Sequence, residues 1–296
     1  GQDFAIGAAA TAGRIYRRDS GTWTWVSAGA AAITVSAANI DAANLYVYGE
    51  FLYYAQQSYL GRYDNTAGSA NFAAFTTGDT NPRPMRVHAG NLYVGDTGVV
   101  ARYDGTTFTA SALTLPSDYV IRSMEVYADR LYIMADNTFM SRLFIWDGRS
   151  NTYENAIDLP DEVSAPSLQI IGSNLFAVAN RGVGTPGTPI YQFNGSEFIK
   201  IQVLPIQRSV TNGLGAYAGG LMIASNDDST ALYEDGVAGV WLLNRHSNDY
   251  PYNAILGFPI RERLTNHNLG AITPSYIAAN DVTNSSYNIF EIQGST

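Results

Sequence analysis

The sequence has no cysteine, and that one absence removes disulfide frameworks, thiolate zinc sites and cysteine nucleophiles together. Lysine is nearly missing as well: of 17 basic residues, only Lys200 is not arginine. An arginine-biased chain keeps planar, bidentate donors suited to fixed interfaces, although a biased genome or an unselected surface accounts for the bias equally well. Charge is sparse at 15% of residues and unbalanced, with a net −9 and a pI near 4.7. General electrostatic attraction to nucleic acid or to an anionic membrane needs a basic face, so neither is an expected partner. No apolar run approaches the roughly 18 residues of a membrane-crossing helix, and no membrane insertion is expected. The three histidines, His88, His246 and His267, stand apart from one another, outside any His-Glu-x-x-His type of spacing. They read as hydrogen-bonded surface or strand residues. The chain opens on Gly-Gln-Asp without a methionine or a signal-peptide pattern, so it reads as a processed or excised segment, or one whose initiator was trimmed.

What is abundant is aromatic. Twenty Tyr, 12 Phe and 4 Trp occur among many Thr, Val and Ile, with Gly, Asn and Asp spread evenly between them, which favours strands punctuated by turns. Hydrophobic residues make up 46% of the 296, enough for a sizeable core in one large β domain. The organising unit is Ala101 to Thr109: a strand ending in Tyr103, the turn Asp104-Gly105, and a second strand opened by Phe108. Asp-Gly supplies the positive φ angles of a tight two-residue turn, so the unit is expected to be a β-hairpin. It recurs at Trp146-Asp147-Gly148 with Tyr153 and at Phe193-Asn194-Gly195 with Phe198. Looser copies are Tyr63-Asp64-Asn65 with Phe72 and Arg18-Asp19-Ser20-Gly21 with Trp23.

Three strand candidates, Phe4 to Ala9, Arg14 to Arg18 and Thr22 to Ser27, precede a longer cycle beginning at Ile33 and repeating five times. Each cycle carries four strands in about 35 to 50 residues, the period of a propeller blade. In the clearest, the strands are expected at Ile121 to Ala128, Leu131 to Ala135, Leu143 to Trp146 and Tyr153 to Leu159, with a turn at Asp129-Arg130. The second strand of each cycle is expected to open on a large apolar pair: Leu45-Tyr46, Leu92-Tyr93, Leu131-Tyr132, Leu175-Phe176 and Leu221-Met222. Cycles close on Leu115-Pro116, Leu159-Pro160, Leu204-Pro205 and Phe258-Pro259, where an outermost strand has no ladder partner to lose. Asn268 to Ile292 supplies three last strands, which leaves the count two short of seven four-stranded blades. The ends pair to close the ring, or the first and last blades are completed by residues or partners outside this segment; the ring is preferred.

These landmarks resemble β-propeller proteins, specifically repeats in which Leu-Tyr-Val is followed by Tyr-Asp-Gly or Trp-Asp-Gly and an aromatic, as in bacterial secreted proteins and phage virion and tail-associated proteins. The resemblance covers nearly the whole chain. It implies an all-β fold, a seven-bladed antiparallel propeller forming a single domain over residues 1–296, and an extracellular or virion setting. Trp146-Asp147 matches the WD-repeat dipeptide once and without a Gly-His partner, and Gly219-Gly220 is too isolated for kelch repeats. Arg18-Asp19-Ser20-Gly21-Thr22-Trp23 resembles the Asp-x-Gly turn of sialidase propellers, with Arg17 where Ser or Thr is expected and the tryptophan one residue early.

Sialidase-like hydrolysis would want arginines around a substrate carboxylate and a tyrosine nucleophile. Arg83, Arg86, Arg122, Arg181, Arg208, Arg261 and Arg263 lie on connections, and Tyr119 sits beside Asp118 on another. Any propeller of this size puts arginines there, so they mark a candidate interaction surface and no catalytic set is assigned. Connections between blades and second-to-third strand loops should share one face, with the Asp-Gly turns on the other. The acidic clusters Asp161-Glu162 and Asn226-Asp227-Asp228 lack the alternating oxygens of a calcium loop. Gly182 to Gly187 lacks the Lys-Ser/Thr end of a phosphate loop, and no Gly-x-Ser-x-Gly elbow occurs. No cofactor and no metal are expected. The expected role is a non-enzymatic structural or interaction module that binds other protein subunits. The alternatives are a lectin, whose hairpin aromatics stack on glycan, and a sialidase-like glycosidase.

Overall fold

The computed structural model describes residues 45–55, 58–64, 68–76, 83–160, 163–181 and 187–204 continuously, and beyond them the strands at 4–9, 12–19, 22–25, 27–28, 31–32, 34–36, 214–217, 220–225, 239–244, 253–259, 267–272, 276–281 and 286–291. Every regular element among them is a strand. The first sheet takes β1 (Phe4–Ala9), β2 (Ala12–Asp19) and β3 (Thr22–Trp25); β4 (Ser27–Ala28) and β5 (Ala31–Ala32) form a small ribbon, and β6 (Thr34–Ser36) returns to pair with β2.

Five four-stranded antiparallel sheets follow, each with its strands paired in chain order. The second sheet is β7 (Leu45–Tyr48), β8 (Phe51–Ala55), β9 (Tyr59–Tyr63) and β10 (Gly68–Ala74). The third is β11 (Met85–His88), β12 (Asn91–Asp96), β13 (Val99–Tyr103) and β14 (Phe108–Thr114). The fourth is β15 (Val120–Tyr127), β16 (Arg130–Asp136), β17 (Ser141–Trp146) and β18 (Asn155–Asp158), and the fifth is β19 (Val163–Ile171), β20 (Asn174–Arg181), β21 (Thr188–Phe193) and β22 (Phe198–Leu204). The sixth holds β23 (Leu214–Tyr217), β24 (Gly220–Ser225), β25 (Gly239–Asn244) and β26 (Asn253–Pro259), and the last holds β27 (His267–Ile272), β28 (Tyr276–Asp281) and β29 (Ser286–Glu291).

Burial fixes the radial order within a sheet. The second strands β12 and β16 are buried at every residue but the first, so both of their faces are covered. The fourth strands β14 and β18 are half-buried or exposed almost throughout, as an outer edge must be. The first strands β7, β11, β15, β19, β23 and β27 each lie beside the next in that order, so they surround the common centre. β1 lies against β28 and β29, which brings the terminal sheets side by side, each retaining its own ladder.

Period-two alternation on the second strands divides the core between neighbouring sheets. Leu92 and Val94 of β12 join a cluster with Tyr53, Met85 and Tyr103, between the second and third sheets. Tyr93, between them in sequence, joins Leu131, Ile133 and Trp146, between the third and fourth. The partition repeats one sheet on, where Tyr132 and Met134 meet Leu175, Ala177 and Phe193. Each apolar seam therefore belongs to two sheets, and no single sheet has a core of its own.

The seams explain the repeat. The tyrosine of each Leu-Tyr pair packs on the aromatic that ends the third strand of the following sheet: Tyr53 on Tyr103 at 6.0 Å, Tyr93 on Trp146 at 5.4 Å, and Tyr132 on Phe193 at 5.7 Å between ring centroids. Such tilted or edge-on pairs contribute about 0.5 to 1.5 kcal/mol beyond their buried area. The two recurring words of the sequence are thus the two halves of one contact.

Three expectations need correction. The first four-stranded cycle opens at Leu45, not Ile33: Leu45-Tyr46 lies on a first strand, and Leu52-Tyr53 is the equivalent second-strand pair. The Leu-Tyr pattern occurs on both sides of the turn at Gly49-Glu50, so sequence alone misplaced the boundary. The turn after β15 is Ala128-Asp129, one residue earlier than Asp129-Arg130, with φ of 46° and 58°. Finally, Asp-Gly does not make a two-residue turn. Tyr103 pairs with Phe108 across a four-residue loop in which only Gly105 has positive φ, at 95°.

Candidate interaction faces

Loops separate by face according to chain order. The turns between first and second strands and the Asp-Gly loops lie on one side, called here the hairpin face. The asparagine or aspartate of each loop closes it by accepting hydrogen bonds from downstream groups. Asp104 Oδ1 accepts the Thr106 and Thr107 amides at 2.8 and 2.7 Å. Asp147 Oδ1 accepts the Arg149 and Ser150 amides and the Ser150 hydroxyl at 2.8 to 2.9 Å, and Asn194 Oδ1 takes the equivalent three from Ser196 and Glu197. The Thr107 and Thr106 amides hold the Asp104 carboxyl below its ordinary range. At Asp147, partial burial pushes upward, but the bonds from Arg149 and Ser150 outweigh it and the carboxyl is lowered.

Neighbouring sheets are strapped together on this face. Tyr48, at the end of β7, donates its hydroxyl to the Gly90 carbonyl in the next sheet's turn at 2.6 Å, and Tyr127, at the end of β15, does the same to Ser173 at 3.0 Å. His88 holds the equivalent place on β11, and its Nδ1 lies 4.0 Å from Asp129 in the following turn. A second strap runs from the Tyr93 hydroxyl to the Gly148 carbonyl at 2.8 Å. Gly148 has φ of 79°, and a Cβ there would stand 2.7 Å from the Tyr93 hydroxyl, so glycine is required twice over. Burial pushes the Tyr53 hydroxyl up to about 12, with neighbouring Tyr103 adding to the effect, so this phenol keeps its proton at any physiological pH.

The opposite side, the connection face, carries the turns between second and third strands and the links between sheets. The two loop types bond to each other there: Leu115 N–H donates to Gly98 O at 2.8 Å, and Ile121 N–H to Thr97 O at 2.7 Å. Thr97 is held at φ 51°, a left-handed conformation costing a β-branched residue about 1 to 3 kcal/mol. In the fourth sheet the turn is Asn137 to Met140. Asn137 Oδ1 accepts the Phe139 and Met140 amides, both at 2.9 Å, while its Nδ2 donates to Asp118 Oδ2 at 2.8 Å. Phe139 projects from this fixed turn with 76% of its surface exposed.

The residues nominated from sequence meet different fates. Arg83 is fully buried and pairs with Asp96, its guanidinium 4.1 Å from the Phe75 ring centroid; Asp96 Oδ2 also accepts the Thr76 amide at 2.9 Å. Arg122 repeats the clamp one sheet on, with Nε 2.7 Å from Asp136 Oδ1. It is the extra residue where β15 shifts register on β16, which is why its side chain turns toward the strand end. Arg86 is bidentate on Glu125, linking two adjacent first strands near the centre, and donates to its neighbour's carbonyl, Met85 O, at 2.7 Å. Tyr119 is buried edge-on against Phe144 at 5.3 Å, with Arg142 5.5 Å from its ring centroid. Arg83 and Tyr119 therefore offer no side-chain surface: their connections fold inward, onto the end of β12 and into the seam between the third and fourth sheets. Arg181 closes β20, and Arg208, Arg261 and Arg263 lie outside the described residues, as do Asp161-Glu162 and Asn226 to Asp228.

The four aromatics that end the third strands are likewise buried, while the Trp23 side chain lies outside the described residues. Tyr63, Tyr103 and Phe193 are at most 6% exposed, and Trp146 is fully enclosed with its indole N–H on Ser150 O at 2.8 Å. None of these rings presents a face to a sugar. Sequence reasoning missed Phe139; the available signal was Asn137, whose oxygen caps the amides two and three residues on, as Asp104, Asp147 and Asn194 do in the hairpin loops.

No family model matches the chain, and no curated protein matches it. Solved structures do. A chain of the mitotic checkpoint complex aligns over 99% of this chain and 89% of its own length, at 12% identity and a TM-score of 0.60. BBS1N, crystallised in complex with ARL6DN, aligns over 81% of this chain and 72% of its own, at 13% identity and 0.53. A Bacteroides uniformis ATCC 8492 protein provisionally assigned as a 6-phosphogluconolactonase aligns over 99% and 92%, at 14% identity and 0.57. At these identities the likeness speaks to architecture alone, and with the four-stranded antiparallel sheets set around one centre it identifies the fold as a β-propeller.

Proposed function

We propose that the chain is a non-enzymatic interaction module: a rigid, seven-bladed disc that presents its connection face to another protein subunit. The setting is an extracellular or virion assembly, such as a phage tail or capsid-associated particle, which the hairpin repeats resemble. The observation that carries this reading is where the reactive side chains went. Arg83, Arg86, Arg122, Tyr93 and Trp146 are all engaged in holding strands and sheets to one another. What projects on the connection face is short turns held in place, the one at 137–140 by Asn137 and the one at 97–98 by its bonds to Leu115 and Ile121, which is how a scaffold offers a preordered surface at small entropic cost. Two of the similar structures come from multi-protein complexes, which supports protein partners; the third carries a lactonase name, which makes hydrolysis the reading to test against.

The test is enzymatic and direct. Purified chain incubated with a fluorogenic sialoside and with a δ-lactone should give no turnover above buffer. Saturable turnover of either would replace the proposal with a hydrolase.

A further inference from the structure

Phe139 departs from what the other phenylalanines with described side chains do. Those pack in or against the seams; this one stands 76% exposed on the connection face. It is not held there loosely. Asn137 takes both the Phe139 and Met140 amides on one oxygen, its own amide N–H donates to Met140 O at 3.0 Å, and its side-chain nitrogen is anchored on Asp118. Four hydrogen bonds thus fix a four-residue turn whose tip is an unpacked ring, so little loop freedom is left to lose on binding. Rigid aromatic anchors of this kind dominate protein interfaces when they enter a pocket on the partner.

The surroundings say what the pocket's rim must be. Asp118 is an exposed carboxylate whose bond is to an amide, so its charge is left uncompensated by that contact. The charge of nearby Arg142, whose Nη2 lies 3.6 Å from Met140 Sδ in the same turn, is taken up by Asp158. The turn that carries the ring is thus anchored on an exposed carboxylate, on a chain of net charge −9. Resting on the reading above, we infer that Phe139 is the anchor of a docking surface for a protein that offers an apolar pocket edged by arginine or lysine. Asp118 then orients and accelerates the encounter, and Phe139 supplies residence time.

The experiment places photoreactive benzoylphenylalanine at position 139 and, as a remote control, at Ile199, which is 50% exposed on outer strand β22. Each protein is irradiated in its native source, the captured partner is identified, and that partner is then produced and titrated against unmodified chain, Phe139→Ala and Asp118→Asn. Capture from 139 of a basic-surfaced protein is expected, with Phe139→Ala binding at least tenfold more weakly, Asp118→Asn flattening the salt dependence, and thermal unfolding unchanged in Phe139→Ala. Capture from 139 followed by binding of Phe139→Ala within twofold of wild type overturns the inference, as does capture of an acidic protein, of glycan or of a second copy of this chain. Capture from 199 alone overturns it while leaving the interaction-module reading intact; capture from neither position removes both.

Discussion

Trp146→Ala is the substitution that asks most of the seam account. The indole is fully enclosed, edge-on to Tyr93 of the preceding sheet at 5.4 Å, and bonded through Nε1 to Ser150 O at 2.8 Å. Truncation of a buried tryptophan to alanine typically costs about 3 to 5 kcal/mol. Within that loss, about 0.5 to 1.5 kcal/mol belongs to the ring pair and about 1 kcal/mol to the indole bond. Urea unfolding followed by far-UV circular dichroism should therefore show a fall in the midpoint worth about 3 to 5 kcal/mol, a large share of the roughly 5 to 15 kcal/mol that holds a domain together. Trp146→Phe keeps a ring in the seam and should lose only about 1 to 2 kcal/mol. A cycle with Tyr93→Ala should then return a coupling of about 0.5 to 1.5 kcal/mol, because the partners sit on different sheets and meet only here. A Trp146→Ala protein destabilised by less than about 1 kcal/mol, or a coupling near zero, would refute the claim that paired aromatics glue successive sheets.

Breaking the enclosed clamp by Asp96→Asn leaves Arg83 buried without its counter-charge and should lower stability by about 3 to 5 kcal/mol in the same urea assay. Removing a strap by Tyr48→Phe or Tyr127→Phe keeps the ring and deletes one bond, with an expected loss of about 0.5 to 1.5 kcal/mol each by thermal melts. Thr97→Asn relieves a β-branched side chain in the left-handed region and should raise stability by about 1 kcal/mol, provided that the Thr97 carbonyl keeps the Ile121 amide. Asp147 carries a pH signature: its folded-state carboxyl is lowered from the ordinary 3.8, so its stabilisation is complete above that value and is lost as pH falls through the lower folded one. Wild type should melt above Asp147→Ala at neutral pH and lose that advantage only on strong acidification, whereas the gap between Asp147→Asn and Asp147→Ala should not change.

Much of this was legible because the repeat is a contact written twice. Leu-Tyr and an aromatic before Asp-Gly or Asn-Gly recur from sheet to sheet since each tyrosine needs a ring opposite it in the next sheet, and the sheets, their antiparallel order and the two loop faces follow from that. Fates of single side chains were not legible. Both Arg83 and Arg122 were expected on connections and both pair with the aspartate ending the second strand, but Arg122 lies inside β15 at its register shift and is half-buried, while Arg83 precedes β11 and is enclosed under Phe75. Nothing local in the sequence encodes that difference. Ala128 and Thr97 hid for another reason: both adopt positive φ without being glycine or asparagine. Phe139 was passed over because an aromatic in this chain is ordinarily a seam residue, and only its position on a turn tip makes it an exception.

The most direct measurement is electron cryomicroscopy of the native assembly that contains this chain. The account predicts a neighbouring protein subunit seated on the connection face, over the turns at 97–98 and 137–140 and the link at 115–119, with a basic-edged pocket around Phe139. A chain contacting its neighbours only through the hairpin face or outer strands, with Phe139 in open solvent, would contradict it.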